Sequence, residues 1–420
     1  MTLRTRNLTI AALIPFSAFF CVAAVAASLE APPGTTINIR LTSPVSSQDS
    51  SGKSFTAVVV VPVKINGAVA IAVGTKLSGK TADVKAASAE DQAATLRLAF
   101  QKIQPPGEKE QSFSAQLSSV DNARESVGGD GLITGIIASQ TWEGRLNAGI
   151  GKLETNHPGL AGLLQNARDA FVKKVDASIN YPAGVDMQIK LTKALACNPP
   201  SNVTPTPEIA NLDQLTKLVV AQPDRTNAGD PPKPSDLTNL VFIGSQQNIQ
   251  NAFQAAGWFQ AAERDQASTM ETARAIIENR GYQEAPVSIL LLDGHPPDLV
   301  FEKQTNTFAM RHHIRIWKRP ITFDGKEVWV GAATHDTGID FSKESHTFTH
   351  KIDGNIDNER SKVTNDIIFS GYVSAASMVP RANVPPDISN ATGDKLITDG
   401  KMSAMEMRDQ PVPPATVAGK

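Results

Sequence analysis

The 420-residue chain has two cysteines, Cys21 and Cys197, and lacks the usual motifs of reactive sites. It has no paired Cys-x-x-Cys, no His-Glu-x-x-His and no Gly-x-Ser-x-Gly, so the common zinc spacings and a serine-hydrolase elbow are excluded. The glycine cluster Gly128-Gly-Asp-Gly-Leu-Ile-Thr-Gly135 lacks both the Lys-Ser/Thr ending and the preceding strand of a phosphate loop, which leaves turns as its reading. A formal charge of -2 provides no global basic field to recruit nucleic acid or an anionic membrane surface. Beyond the first segment, no run approaches the roughly 20 continuous apolar residues of a membrane helix, so no membrane span is expected in the mature chain.

That first segment is distinctive. Arg4 and Arg6 precede an apolar stretch from Leu8 to Ala23 and the small-residue triplet Ala24-Val25-Ala26. A basic n-region, an apolar h-region and an A-x-A site predict a signal peptide over residues 1–26 and export to the periplasm or cell surface. Cleavage removes two arginines and takes the charge from -2 to -4. It also leaves Cys197 alone, without a disulfide partner, and it reads as a buried strand-end residue.

Residues 27–197 carry short β-branched runs separated by turn residues, among them Ile65-Asn-Gly67, whose Asn-Gly suits a hairpin. The segment Pro33-Gly-Thr-Thr-Ile-Asn-Ile-Arg-Leu-Thr42 is echoed at Ala183-Gly-Val-Asp-Met-Gln-Ile-Lys-Leu-Thr192. Two such strands bracketing the region predict an all-β small barrel or sandwich closed by its first and last strands. Leu160, Leu163, Leu164, Ala167, Phe171 and Val175 recur at helical spacing and predict a helical insertion over 158–178. A proline-rich stretch at 198–234 reads as a linker that few contacts should cross. Residues 235–380 change to a mixed pattern, predicting an α+β sandwich, and 381–420 read as a polar tail.

The second region holds the chemistry. Six of seven histidines fall between His295 and His350, two of them adjacent in Arg311-His-His-Ile-Arg-Ile-Trp317. Strand alternation puts Arg311, His313 and Arg315 on one face, a cationic strip suited to phosphate or carboxylate, and leaves His312 among isoleucines as a core residue. His313, His350, Asp353 and Asp357 offer ligands for one divalent metal ion. The acids at the predicted helix start have a second reading as helix caps.

With Val328-Trp-Val-Gly-Ala-Ala333, Thr349-His-Lys-Ile-Asp353 and Ile356-Asp-Asn-Glu-Arg360, that strand resembles the LssY C-terminal domain family over about residues 235–375. The preceding barrel is similar, more loosely, to modules of exported acidobacterial proteins. The resemblance implies matching positions at Arg311, His312, His313, Arg315, Trp317, His350, Asp353, Asp357, Glu359 and Arg360. It implies no activity. Members that carry a lipid-phosphatase-type membrane domain do so through Pro-Ser-Gly-His and Lys-x6-Arg-Pro motifs, and both are absent from this sequence. His295, His335 and His346 lie outside the motifs. The resulting expectation is an exported cell-envelope protein that binds an envelope component or small anionic ligand through Arg311, Arg315 and Arg360. His350, His313 and Arg315 would be the catalytic set if the protein is a metal-assisted phosphoester hydrolase, and a non-catalytic scaffold is the alternative.

Overall fold

The computed structural model describes residues 29–155, 157–198, 206–261, 271–272, 274–276, 278–283, 287–342, 347–382, 384 and 387–412. The expected leader and His346 lie outside them.

In the N-terminal unit the strands are β1 (Thr36–Leu41), β2 (Ser54–Val59), β3 (Lys76–Lys85), β4 (Thr95–Gln104), β5 (Ala115–Val120), β6 (Leu132–Thr134) and β7 (Asp186–Leu191). They form a nearly closed, barrel-like sheet in the order β5-β7-β1-β2-β3-β4-β6. Alternate residues, such as Ile37, Ile39 and Leu41 on β1 and Met187, Ile189 and Leu191 on β7, point into one core. The two echoed segments are β1 and β7, paired antiparallel with Arg40 directly opposite Asp186. Cys197 ends a short strand that pairs with Leu29–Ala31, and it is buried as expected.

The insertion between β6 and β7 is a helical hairpin, α1 (Trp142–Glu154) and α2 (Pro158–Phe171). The expected helix therefore stops before residue 178. Its partner α1 carries three glycines, which weaken helix propensity, but Thr141 caps it by accepting from the Gly144 N–H.

Further along lie α3 (Leu212–Val220), β8 (Leu240–Ile243), α4 (Gln246–Ala255), β9 (Leu299–Lys303), β10 (Arg311–Phe323) and β11 (Lys326–Ser342). After these come β12 (Thr347–Ile352), α5 (Ile356–Phe369), β13 (Val373–Pro380) and β14 (Lys401–Met407). The sheet order is β9-β10-β11-β8-β14-β13, with β12 beside β11. Helices α4 and α5 cover one face over Ile314, Ile316, Phe242 and Trp329. On the opposite face Leu215 and Val219 of α3 pack with Trp317, Val330 and Ala332. Both faces of β10 are thus buried.

Two expected boundaries are corrected. Residues 212–234 are not linker, because α3 buries Leu215 and Val219 and the hairpin Arg225–Ala228 with Lys233–Leu237 follows. Pro231 falls in the turn of that hairpin, where it blocks nothing. Residues 381–412 are not a tail either. Strand β14 lies inside the sheet, parallel to β8 and antiparallel to β13, with Met402, Ala404 and Met405 fully buried. Methionine and alanine are weak strand formers, so tertiary pairing rather than local propensity makes this strand.

The expected thin connection is also replaced by a charged interface. Arg40 Nε lies 2.6 Å from Asp186 Oδ1, and its Nη2 reaches Asp366 Oδ1 of α5 at 3.1 Å. Lys303 of β9 bonds Asp186 at 2.7 Å and Asp366 at 3.2 Å, while Lys362 bonds them at 2.9 and 2.7 Å. Trp258 Nε1 donates to the second oxygen of Asp366 at 2.9 Å. Three cations and two carboxylates from both units meet here, all buried but the half-buried Lys362, and removing one buried partner leaves charge without compensation.

Two outcomes follow. Asp186→Ala is expected to lower the unfolding free energy by about 3–5 kcal/mol in urea titrations, the usual cost of breaking a buried pair on one side. A chain ended at Gly400 loses an interior strand and should give no cooperative melt for the C-terminal unit.

Candidate functional site

Alternation along β10 works as expected, but the two faces exchange roles. Arg311, His313 and Arg315 are 3–5 % exposed and each meets a carboxylate. Arg311 bonds Glu302 at 2.7 Å and Asp336 at 3.1 Å. His313 Nε2 lies 3.0 Å from Asp336 Oδ1, and Arg315 lies 3.4 Å from Asp236 and donates to the Ser288 carbonyl at 2.9 Å. The strip is a filled ion-pair ladder, so an anion entering it would have to displace carboxylates already in place. Its acidic partners, Glu302 and Asp236, lie on other strands at distances in sequence that alternation cannot reveal.

His312 points to the opposite face, where the barrel packs. Its Nδ1 lies 2.7 Å from Glu359 Oε2 of α5, and its Nε2 lies 2.9 Å from Asp121 Oδ2, just past the end of β5. The His335 ring stacks on it with centroids 4.3 Å apart, and His335 Nε2 lies 2.7 Å from Asn122 Oδ1. Asn122 takes the left-handed conformation, φ 51°, which asparagine tolerates and which turns Asp121 and Asn122 together onto the histidines. Next to this group a cavity of about 460 Å³ opens between the units, bounded by Ile39, Val60 and Met187 on the barrel side and by Glu359, Lys362 and Asp366 on α5. The second oxygen of Glu359, Oε1, is buried and has no hydrogen-bond partner among the described residues.

The remaining expected residues scatter. His350 Nδ1 is 3.3 Å from Asp336 Oδ2, and its ring edges onto Phe308 at 4.9 Å. Asp353 accepts from Asn355 N–H and Asn358 Nδ2, tying down the entry to α5. Asp357 accepts from the Asp399 N–H at 2.7 Å and from Arg360, which also bonds Asp399 Oδ1 at 2.7 Å. Both acids act as helix-start and loop anchors, and Arg360 is committed to the segment before β14. The metal set His313, His350, Asp353 and Asp357 is therefore not gathered. Among the described residues, the group whose ligand atoms all lie within 4.8 Å of one another is Asp121, His312 and His335. His335, which the motifs pass over, belongs to it.

Residues 220–402 match the family model described as LssY C-terminus. Over that span the C-terminal unit is similar to the family that its motifs resemble. The matched span runs past the resemblance at both ends, from the end of α3 into β14, as the packing of those elements requires. No curated protein matches the chain. Among solved structures, the chain is similar to ComB10 of the Com type IV secretion system of Helicobacter pylori at 12% identity, covering 41% of this chain and 93% of that one with a TM-score of 0.23. At that score the likeness carries no argument. No helix among the described residues of the barrel or the LssY domain is long and apolar enough to cross a membrane.

The electrostatics of the interface are strongly set. Burial alone would push His312 down, but the Glu359 and Asp121 carboxylates outweigh it and hold the imidazolium up to about 10. Asp121 is itself held below the ordinary carboxylate range, where burial is overcome by His312 and Lys362. His335 moves the other way, lowered by burial and by the charge on His312. The site thus pairs a fixed cation with a neutral histidine stacked against it.

Linkage gives the sign of the pH dependence. A folded value near 10 against an ordinary 6.5 means that the contribution of His312 to stability is complete below about pH 6.5 and is lost as pH rises through 10. Urea midpoints should fall across that alkaline window in the unaltered chain and stay flatter in His312→Gln. His313→Ala is expected to destabilise the C-terminal unit by about 1–3 kcal/mol without creating or removing a ligand site, because Asp336 loses one buried hydrogen-bond partner and keeps Arg311. Urea titration at stepped pH measures the first and urea titration at neutral pH the second.

Proposed function

We propose that this is an exported cell-envelope protein that acts by binding, and that its ligand occupies the cavity between barrel and LssY domain. Export rests on the basic, apolar and A-x-A order of residues 1–26. The cavity volume falls within the ~300–1,000 Å³ of small-molecule sites, and each unit supplies part of the wall.

Charge decides the ligand class. Asp121, Asp186, Glu359 and Asp366 give four negative charges in the wall; His312 and Lys362, with Arg40 and Lys303 behind them, give four positive ones, so the formal sum is zero. An anionic ligand would find no uncompensated cation. The observation that carries the reading is the mixed wall, in which the amide and hydroxyl groups of Asn38, Ser119 and Asn365 stand with apolar Ile39, Val60 and Met187. That surface favours a small neutral molecule rich in hydroxyl or amide donors. A phosphoester hydrolase is less well supported, since a His312 ring with a carboxylate on each nitrogen is not free to take a proton from a substrate.

N-acetylglucosamine carries both donor types and serves as a probe, with inorganic phosphate as the anionic control. Calorimetric titration should show saturable binding of the sugar and none of phosphate, and Gln188→Trp, which fills the cavity from β7, should abolish the sugar signal with the melting point unchanged. Phosphate binding that survives Gln188→Trp, with no sugar binding, would restore the anionic reading at another place.

A further inference from the structure

We infer that Asp121, His312 and His335 form a divalent transition-metal site that spans the two units, with the barrel supplying the carboxylate and the LssY domain both imidazoles. The inference rests on the reading that the interdomain cavity is the functional site, and it names a different ligand for its wall.

Geometry comes first. One ligand atom from each residue lies within 4.8 Å of the other two, and Asp121 Oδ2 and His312 Nε2 are 2.9 Å apart. Two ligands each about 2.0–2.2 Å from one ion subtend an edge of about 3 Å at right angles, so the present separation suits a shared ion as well as a shared proton. Imidazole with carboxylate is the donor set of zinc, manganese and related ions, rather than of calcium, which takes oxygen alone.

The surroundings supply the second line of argument. A histidine that ligates a metal commonly has its other ring nitrogen held by a carboxylate or carbonyl, which fixes the ring and its tautomer. Here Glu359 Oε2 holds His312 Nδ1 at 2.7 Å, leaving Nε2 facing Asp121, and Asn122 Oδ1 fixes the His335 ring at 2.7 Å through Nε2. Both rings are therefore oriented from outside the group. Glu359 Oε1 is buried and without a partner among the described residues, on the same carboxylate whose Oε2 holds His312. Trp258, 6.0 Å from the His312 ring centroid, closes the apolar side. Because ligands come from both units, a bound ion would join them where the proton on His312 joins them now.

The test uses the full mature chain, stripped with a chelator and titrated at neutral pH with zinc, manganese and cobalt(II). One equivalent should bind and raise the melting temperature, and cobalt(II) should give the visible absorption of a nitrogen- and oxygen-ligated ion. His335→Ala and Asp121→Asn should each weaken binding at least about 100-fold, beyond the ~10–100-fold typical of losing an outer partner. Each variant is compared with its own metal-free melting curve, so that loss of the metal-induced rise alone separates a lost ligand from a lost fold. Gln188→Trp should leave metal binding intact while blocking the sugar. Absence of stoichiometric binding, or binding that neither substitution weakens, overturns the metal site. If N-acetylglucosamine still binds in that case, the cavity reading stands alone. Metal binding by the unaltered chain with no binding of the sugar would instead remove the cavity reading and keep the ion.

Discussion

The arrangement depends on His312 being held between two carboxylates from different parts of the chain, Asp121 from the barrel and Glu359 from α5. A buried imidazolium is costly unless both its N–H groups find acceptors, and here each finds a charged one. The barrel end and the LssY helix must therefore stay close, and the second set of pairs, Arg40 and Lys303 against Asp186 and Asp366, reinforces the same contact on the other side of the cavity. The interface is polar at its centre rather than greasy, which fits a surface meant to position groups and not only to exclude water.

Such an interface trades stability for definition. Replacing a buried ion pair with well-packed apolar residues often leaves a protein as stable or more so, so charge here is not explained by stability alone. What the ions provide is orientation. Arg40 faces Asp186 across two adjacent strands, Lys362 reaches both acids from α5, and the cavity keeps its shape because its walls are tied by directional bonds.

Much of this was legible in the sequence where local pattern decides structure. The alternation of Arg311-His-His-Ile-Arg-Ile-Trp317 places its residues on the faces they occupy, and Asn66-Gly67 joins the two strands of the hairpin it suits. The echoed strands even carried a charge signal, since antiparallel pairing of 36–41 with 186–191 sets Arg40 opposite Asp186. What local pattern cannot give is which face meets what. His312 beside two isoleucines reads as core when the C-terminal unit is considered alone, and only the approach of Asp121 from 191 residues away turns it into the centre of an interface. In the same way β14, built from methionine and alanine, becomes an interior strand through its neighbours β8 and β13.

The protonation of His312 bears most directly on this account, and nitrogen-detected NMR of the imidazole in the full chain measures it. In the metal-free chain the interdomain clamp predicts both ring nitrogens protonated at neutral pH, with titration near 10. A His312 ring that is neutral at pH 7 and titrates near the ordinary 6.5 would mean that Asp121 and Glu359 do not close on it together, and the interface described here would not exist in solution.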